Sequence, residues 1–125
     1  MALKVQTQIS GDVCILHCSG RIVFGDEGAA LRERGRNILA GTPKVVVDLN
    51  EVDYIDSGGL GILVGLWVSA RNKGGELKLV SPTQRIKELL RRTSLAQIFR
   101  VYVNIDEAVA AFRKTGSLSE SSRRG

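Results

Sequence analysis

Hydrophobic and polar residues alternate along this chain with a period of two in short segments and a period near 3.6 in longer ones. Residues 3–9 and 13–19 show the strand period and flank Gly11-Asp12, a turn signal, so they predict a hairpin. The uninterrupted valines within residues 44–48 predict a central strand buried on both faces. Residues 76–80 and 99–103 predict two more strands, and residues 49–56 are expected to form a loop.

The helical period predicts four helices, over residues 26–40, over residues 58–72, after Ser81-Pro82 and after Asn104. Ser81 is expected to cap the third helix, with Pro82 at its first position. Gly61 and Gly65 lie one turn apart and predict a groove where another backbone can approach closely. The order β-β-α-β-α-β-α-β-α predicts an α/β fold. Its sheet is mixed but mainly parallel, with about five strands flanked by four or five helices.

Length and composition indicate one globular domain, predicted over residues 1–114, because 125 residues are too few for two ordinary domains. Residues 115–125 are rich in serine and arginine, and we predict a disordered basic tail. The net charge of +5 is not accompanied by a nucleic-acid motif, so no direct nucleic-acid partner is expected. No apolar run approaches the ~20 residues of a membrane span, and the N-terminus lacks a signal-peptide core. A cytoplasmic protein is therefore expected.

The candidate chemistry lies in Asp56-Ser57-Gly58-Gly59-Leu60-Gly61, which follows the valine strand and begins the second helix. A serine at a helix start is a cap, a nucleophile or a phosphorylation site. A nucleophile elbow needs Gly-x-Ser-x-Gly, but Ile55 occupies the first glycine position. The chain has one histidine, His17, on a remote strand. We therefore expect no enzymatic activity.

Cofactor and metal sites are also not expected. The motif glycines match neither the P-loop nor the dinucleotide fingerprint. Asp48, Asp53 and Asp56 could bind Mg²⁺, but carboxylates in such a loop are more often solvated or capping groups. Cys14 and Cys18 lie on one strand about 13 Å apart, too far for a disulfide, and are expected in the core.

Phosphorylation of Ser57 requires fewer specific residues than catalysis does, because it needs an exposed hydroxyl and no catalytic partners. A phosphate would add about 1.5–2 negative charges at a helix N-terminus, where the helix dipole tolerates them. Beside Asp56 it would create a concentrated anionic spot that repels a bound partner. From the local chemistry alone, the alternative that Ser57 merely caps the helix remains equally open.

The chain resembles the STAS domain family, and within it the bacterial anti-sigma factor antagonists, over residues 3–112. The residues that carry the resemblance are Val45-Val46-Val47-Asp48-Leu49, Val52, Tyr54-Ile55-Asp56-Ser57-Gly58-Gly59-Leu60-Gly61, Lys73-Gly74-Gly75-Glu76-Leu77, Ser81-Pro82, Ile98-Phe99 and Asp106-Glu107-Ala108.

The resemblance implies partner switching. The unphosphorylated chain would bind an anti-sigma factor that is also a serine kinase, phosphorylation of Ser57 would release it, and a phosphatase would restore the serine. ATP would belong to the kinase. Asp56, Gly58, Gly59, Leu60 and Gly61 would shape the docking surface. The alternative within the family is an adaptor subunit of a transporter, of a lipid-trafficking complex or of a stressosome-like complex.

Two positions depart from the family pattern. The family motif often carries a second serine where this chain has Gly58, so Ser57 is the one hydroxyl in the motif. Many members carry an aspartate three residues after the glycine that matches Gly20, and this chain has Val23 there. Partner contacts near Val23 are therefore expected to differ from the usual ones.

Overall fold

The computed structural model describes residues 3–113, so the predicted tail and residue 114 lie outside the described residues. Its helices and strands follow the predicted order. They are β1 (Lys4–Ser10), β2 (Val13–Ile22), α1 (Asp26–Leu39), β3 (Lys44–Ile55), α2 (Ser57–Asn72), β4 (Glu76–Val80), α3 (Gln84–Arg92), a 3-10 turn (Leu95–Gln97) and β5 (Arg100–Tyr102). A helix at residues 105–113, here α4, completes the described part.

The five strands form one mixed sheet in the order β1-β2-β3-β4-β5. The hairpin pair β1–β2 is antiparallel, and every other pair is parallel. This architecture confirms the predicted fold class. The carboxyl ends of β2 and β3 meet at one edge of the sheet, since Ile22 pairs with Ile55. The residues that follow these two strands are thereby brought together.

The central position of β3 explains its valines. Val45 and Val47 pack into the larger hydrophobic cluster with residues of α1, α2 and α3, while Val46 packs with Val109 and Phe112 of α4 on the other face. All three valines are at most 2% exposed. The prediction of a strand buried on both faces is confirmed.

The prediction of a loop over residues 49–56 is wrong, because β3 continues to Ile55. The extension pairs with an equally extended β2, through Gly20–Val52, Arg21–Tyr54 and Ile22–Ile55, with irregular register on the way. The polar residues of this segment suggested a loop, but the long partner strand supplies its backbone hydrogen bonds. One residue, Asp56, separates β3 from α2.

The predicted cap of the third helix is also wrong. The side chain of Thr83, two residues later, accepts the Ile86 N–H, so Pro82 lies outside the helix. Ser81 has φ 53° and donates its hydroxyl to the Val103 carbonyl at 2.7 Å. Ser81 therefore ties the end of β4 to the end of β5, which the local sequence does not reveal.

Candidate functional site

Asp56 organises the start of α2. Its Oδ1 accepts the Gly59 N–H at 2.7 Å, so Asp56 is the N-cap and Ser57 is the first helical residue. The hypothesis that Ser57 merely caps the helix is therefore wrong. An acidic cap satisfies one of the unpaired N–H groups at a helix start and interacts favourably with the helix dipole.

The same carboxylate also holds the loop that follows β2. The Phe24 N–H donates to both oxygens of Asp56 at 3.1 Å, and the Asp56 N–H donates to the Ile22 carbonyl at 3.3 Å. Two segments separated by more than thirty residues in the chain are thereby joined through one half-buried carboxylate. The motif and the loop at residues 23–25 form one continuous surface.

Ser57 is exposed on this surface, in the first turn of α2. Because Asp56 performs the capping, the Ser57 hydroxyl is not required to stabilise the helix. The helix N-terminus beneath it carries a partial positive charge and favours anions. A phosphate on Ser57 would therefore sit in a favourable field on the accessible side of the domain.

The four glycines of α2 have two different roles. A Cβ on Gly59 would lie 2.0 Å from the Ile22 carbonyl oxygen, and one on Gly58 would lie 2.6 Å from the Phe24 Cβ. Those two glycines allow close packing, whereas a Cβ on Gly61 or Gly65 would meet nothing within 4 Å.

The residues expected at the docking surface also differ in their exposure to solvent. Ser57 and Gly61 are exposed, Asp56 and Gly58 are half-buried, and Gly59 is buried. Leu60 is 7% exposed and belongs to the larger hydrophobic cluster. Gly59 and Leu60 therefore support this surface from below.

A groove of about 630 Å³ runs between α1 and α2 and begins at Gly58, which follows Ser57 in the chain. The residues of α2 that line it are Gly58, Gly61, Ile62 and Gly65. The residues of α1 that line it are Asp26, Ala29, Arg32 and Arg36, and Phe24 and Gly25 lie at its end. This confirms the groove predicted from Gly61 and Gly65. Phe24 is 83% exposed, which is unusual for so large an apolar side chain.

Three residues of this surface, Phe24, Arg32 and Arg36, were not predicted from the sequence. Phe24 lies in a connection without apolar periodicity, and the arginines appeared to be an ordinary solvated helix face. The one usable signal was an aromatic residue in a short connection, directly before Gly25.

His17 does not take part in the site. Its Nδ1 lies 2.8 Å from Oδ2 of Asp48, and its Nε2 lies 2.8 Å from Oε1 of Gln8. It precedes Ile22, where β2 reaches the site, by five strand residues, which is about 16 Å at 3.3 Å per residue. Among residues 3–113 no three His, Cys, Asp or Glu side chains are grouped as metal ligands.

The resolved pKa shifts also lie outside the site. Burial raises the pKa of Cys18 to about 12. A hydrogen bond from Lys44 lowers the pKa of Asp12 at the β1–β2 turn, at the opposite end of β3 from Ser57. Cys14 and Cys18 are both buried free thiols, as expected.

The sequence profile of the STAS domain matches residues 4–108. The chain belongs to the STAS domain family. The match includes all five strands and the whole of the Asp56–Gly61 surface. Among residues 3–113 of this STAS domain, no helix is long and apolar enough to cross a membrane.

This STAS domain is similar to proteins named for one regulatory role. It is 35% identical over 74 residues to a Thermotoga maritima protein provisionally named anti-sigma factor antagonist. That alignment covers 59% of this chain and 66% of the relative. It is 28% identical over 97 residues to the anti-sigma-B factor antagonist of Bacillus subtilis, covering 78% of this chain and 80% of that one. The first match thus spans just under two thirds of the Thermotoga relative's length.

A crystal structure supports the same similarity in three dimensions. A Thermotoga maritima protein with that provisional name aligns with a TM-score of 0.82 at 29% identity, over 87% of this chain and 94% of that one.

Proposed function

We propose that this STAS domain is an anti-sigma factor antagonist controlled by phosphorylation of Ser57. The observation that carries the proposal is the exposed Ser57 hydroxyl in the first turn of α2, where Asp56 already provides the cap. Phe24 and the groove between α1 and α2 begin at Gly58, the next residue along the chain, and offer a partner a large accessible surface. The names of the relatives support the regulatory role.

In the unphosphorylated state, the domain binds an anti-sigma factor and so frees the sigma factor for transcription. The partner contacts Ser57, Gly61 and the exposed Phe24 ring, with Asp56 and Gly58 shaping the surface. Burial of an aromatic anchor in a partner pocket is a common source of binding energy at protein interfaces.

Phosphorylation reverses this binding. The anti-sigma factor is itself a serine kinase. Oγ of Ser57 attacks the γ-phosphorus of the kinase's ATP, the Oγ proton passes to a basic group of the kinase, and ADP leaves as the bond to the γ-phosphorus breaks. The product adds about 1.5–2 negative charges beside the Asp56 carboxylate. The helix dipole stabilises that charge within the domain, so the fold persists. A partner that desolvates the same surface encounters repulsion and bulk, and its affinity falls.

A separate phosphatase completes the cycle by hydrolysing the phosphoserine to serine and inorganic phosphate. This domain contributes an acceptor hydroxyl and a binding surface, with no cofactor of its own and no catalytic step. The proposed switch operates in the cytoplasm, because it depends on an ATP-dependent kinase and on a sigma factor.

The phosphorylation site is tested by incubating the chain with its cognate anti-sigma kinase and ATP, followed by mass spectrometry. We expect one phosphate on Ser57 and none on Ser57→Ala. Ser69→Ala is the matched control, since Ser69 lies in the same helix about 18 Å further along. Phosphate that persists on Ser57→Ala, or that is lost from Ser69→Ala, would contradict the assignment.

The switch itself is tested by calorimetry with the same partner. Ser57→Asp should bind the partner at least about tenfold more weakly than the native chain does. Asparagine has the size of aspartate but no charge, so the affinity of Ser57→Asn should lie closer to the native value. Equal affinities for the aspartate and asparagine variants would argue against a charge-based switch. Affinity that is unaffected by phosphate would instead favour the adaptor role in a transporter, lipid-trafficking or stressosome-like complex.

A further inference from the structure

The edge of the sheet at β5 has unpaired backbone groups. β5 is the last strand in the sheet order, so one side of it has no strand neighbour among residues 3–113. The Tyr102 carbonyl accepts the Ser81 N–H at 3.0 Å and therefore faces β4. Because neighbouring residues of a strand direct their peptide groups to opposite sides, the N–H and C=O of Val101 face the open edge.

A groove of about 820 Å³ adjoins this edge, and apolar residues alternate with polar ones along its lining. Trp67 and Arg71 of α2 form one wall, and residues 96–102 form the other. Ile98 and Val101 are each 38% exposed, and Val103, just beyond β5, is 77% exposed. Native proteins rarely leave a sheet edge both unpaired and apolar, since such an edge recruits another strand.

The charge around the groove is positive. Glu76 is the one carboxylate among its described lining residues, and three cations share it. Its oxygens lie 3.6 Å from Arg100 Nε, 3.7 Å from Lys78 Nζ and 3.9 Å from Arg71 Nη1. These separations are longer than direct hydrogen bonds, so the two arginines, which line the groove, retain donors for a further anion. Lys78 is buried and does not line the groove. Arg71 and Arg100 are more than half exposed, which makes them accessible to a ligand.

An unpartnered donor lies in the same wall. The indole Nε1–H of Trp67 is buried and has no acceptor within residues 3–113. Buried polar hydrogens are nearly always hydrogen-bonded in folded proteins. Since Nε1 itself has less than 1 Å² of accessible surface, an acceptor in the groove would reach it only through a shift of the Trp67 ring.

We propose that the β5 edge binds an extended acidic segment of a partner protein, which adds a sixth strand to the sheet. Main-chain hydrogen bonds to Val101 would provide the pairing, apolar side chains would cover Val101 and Val103, and carboxylates would meet Arg71 and Arg100. Trp67 follows Ser57 by ten helical residues, about 15 Å along α2, so this surface is separate from the phosphorylation site. The proposal does not depend on the function of Ser57.

The binding test uses the full chain and two fluorescein-labelled hexapeptides, one alternating valine with glutamate and one alternating valine with lysine. Fluorescence anisotropy should show saturable binding of the acidic peptide, at least about tenfold tighter than the basic one. Trp67 is the one tryptophan of the chain, so a change in its emission on addition of the unlabelled acidic peptide locates the complex. Absence of binding, or equal binding of both peptides, would overturn the proposal.

Two variants test the geometry. Val101→Pro removes the outward N–H at an edge position where proline is tolerated, and Arg100→Glu reverses a charge at the groove. Each variant should bind the acidic peptide at least about tenfold more weakly than the native chain does. Arg92→Glu, the same change on the exposed face of α3, should leave the affinity unchanged. Unchanged binding in both test variants would overturn the proposal, and Arg100→Glu alone decides if Val101→Pro does not fold. Dimers in the native chain that Val101→Pro dissociates would identify a second copy as the occupant and would also overturn it.

Discussion

Replacing Gly59 by alanine tests the assembly of the site most directly. A Cβ at this position would lie 2.0 Å from the Ile22 carbonyl oxygen and 2.7 Å from its carbon. Both atoms are backbone, so they cannot move aside as a flexible side chain would. The start of α2 would have to retreat from β2 by about 1 Å to restore 3.0 Å.

The magnitude follows from the contacts that this retreat disturbs. Overpacking a rigid site costs about 1–3 kcal/mol. The hydrogen bonds from Asp56 N–H to Ile22 and from Phe24 N–H to Asp56 span the same gap and contribute about 1 kcal/mol each. The higher helix propensity of alanine returns about 0.5–1 kcal/mol. We expect Gly59→Ala to lower the free energy of unfolding by about 3 kcal/mol.

Gly61→Ala and Gly65→Ala are the matched controls, because they make the same chemical change in the same helix. A Cβ at either position meets nothing within 4 Å, so each should stabilise the domain by about 0.5–1 kcal/mol. Urea unfolding followed by far-ultraviolet circular dichroism at 25 °C measures all three. A Gly59→Ala midpoint equal to that of Gly61→Ala would refute the packing argument.

Three further predictions concern neighbouring features. Asp56→Ala should lower the free energy of unfolding by about 1–2 kcal/mol in the same urea assay, because it removes the cap of α2. Phe24→Ala should change that energy by less than about 0.5 kcal/mol, since the ring is 83% exposed, but should weaken anti-sigma factor binding in calorimetry at least about tenfold. Stability should fall as the pH rises from about 9 towards 12, because burial raises the pKa of Cys18 to about 12 and an unfolded thiol ionises first. Cys18→Ala should flatten that slope in urea titrations at several pH values.

Each of these predictions has an outcome that would contradict it. A stable Asp56→Ala variant would show that the cap is dispensable. Phe24→Ala with native affinity would remove the aromatic anchor from the proposed interface. An alkaline slope that is unchanged in Cys18→Ala would show that Cys18 is not the cause of the loss of stability.

The apolar periodicity predicted the number, order and type of the strands and helices, because burial imposes a period of two on strands and 3.6 on helices. The valines of β3 revealed a strand covered on both faces. The ends of the strands and helices were less predictable where contacts between segments far apart in the chain determined them. β3 continues through Asn50, Glu51 and Asp53 because β2 pairs with it. Ser81 is not the cap of α3, because its hydroxyl donates to the Val103 carbonyl at the end of β5.

The sequence by itself determined that a lone motif serine begins a helix after a buried strand, and that small residues follow it at helical spacing. Tertiary structure alone decided what each of those residues does. Gly59 and Gly61 are chemically identical, but only Gly59 lies against the Ile22 carbonyl. Asp56 rather than Ser57 became the cap, and it also holds Phe24 from a distant loop. Contacts between segments far apart in the chain have no local signature, so only the fold reveals them.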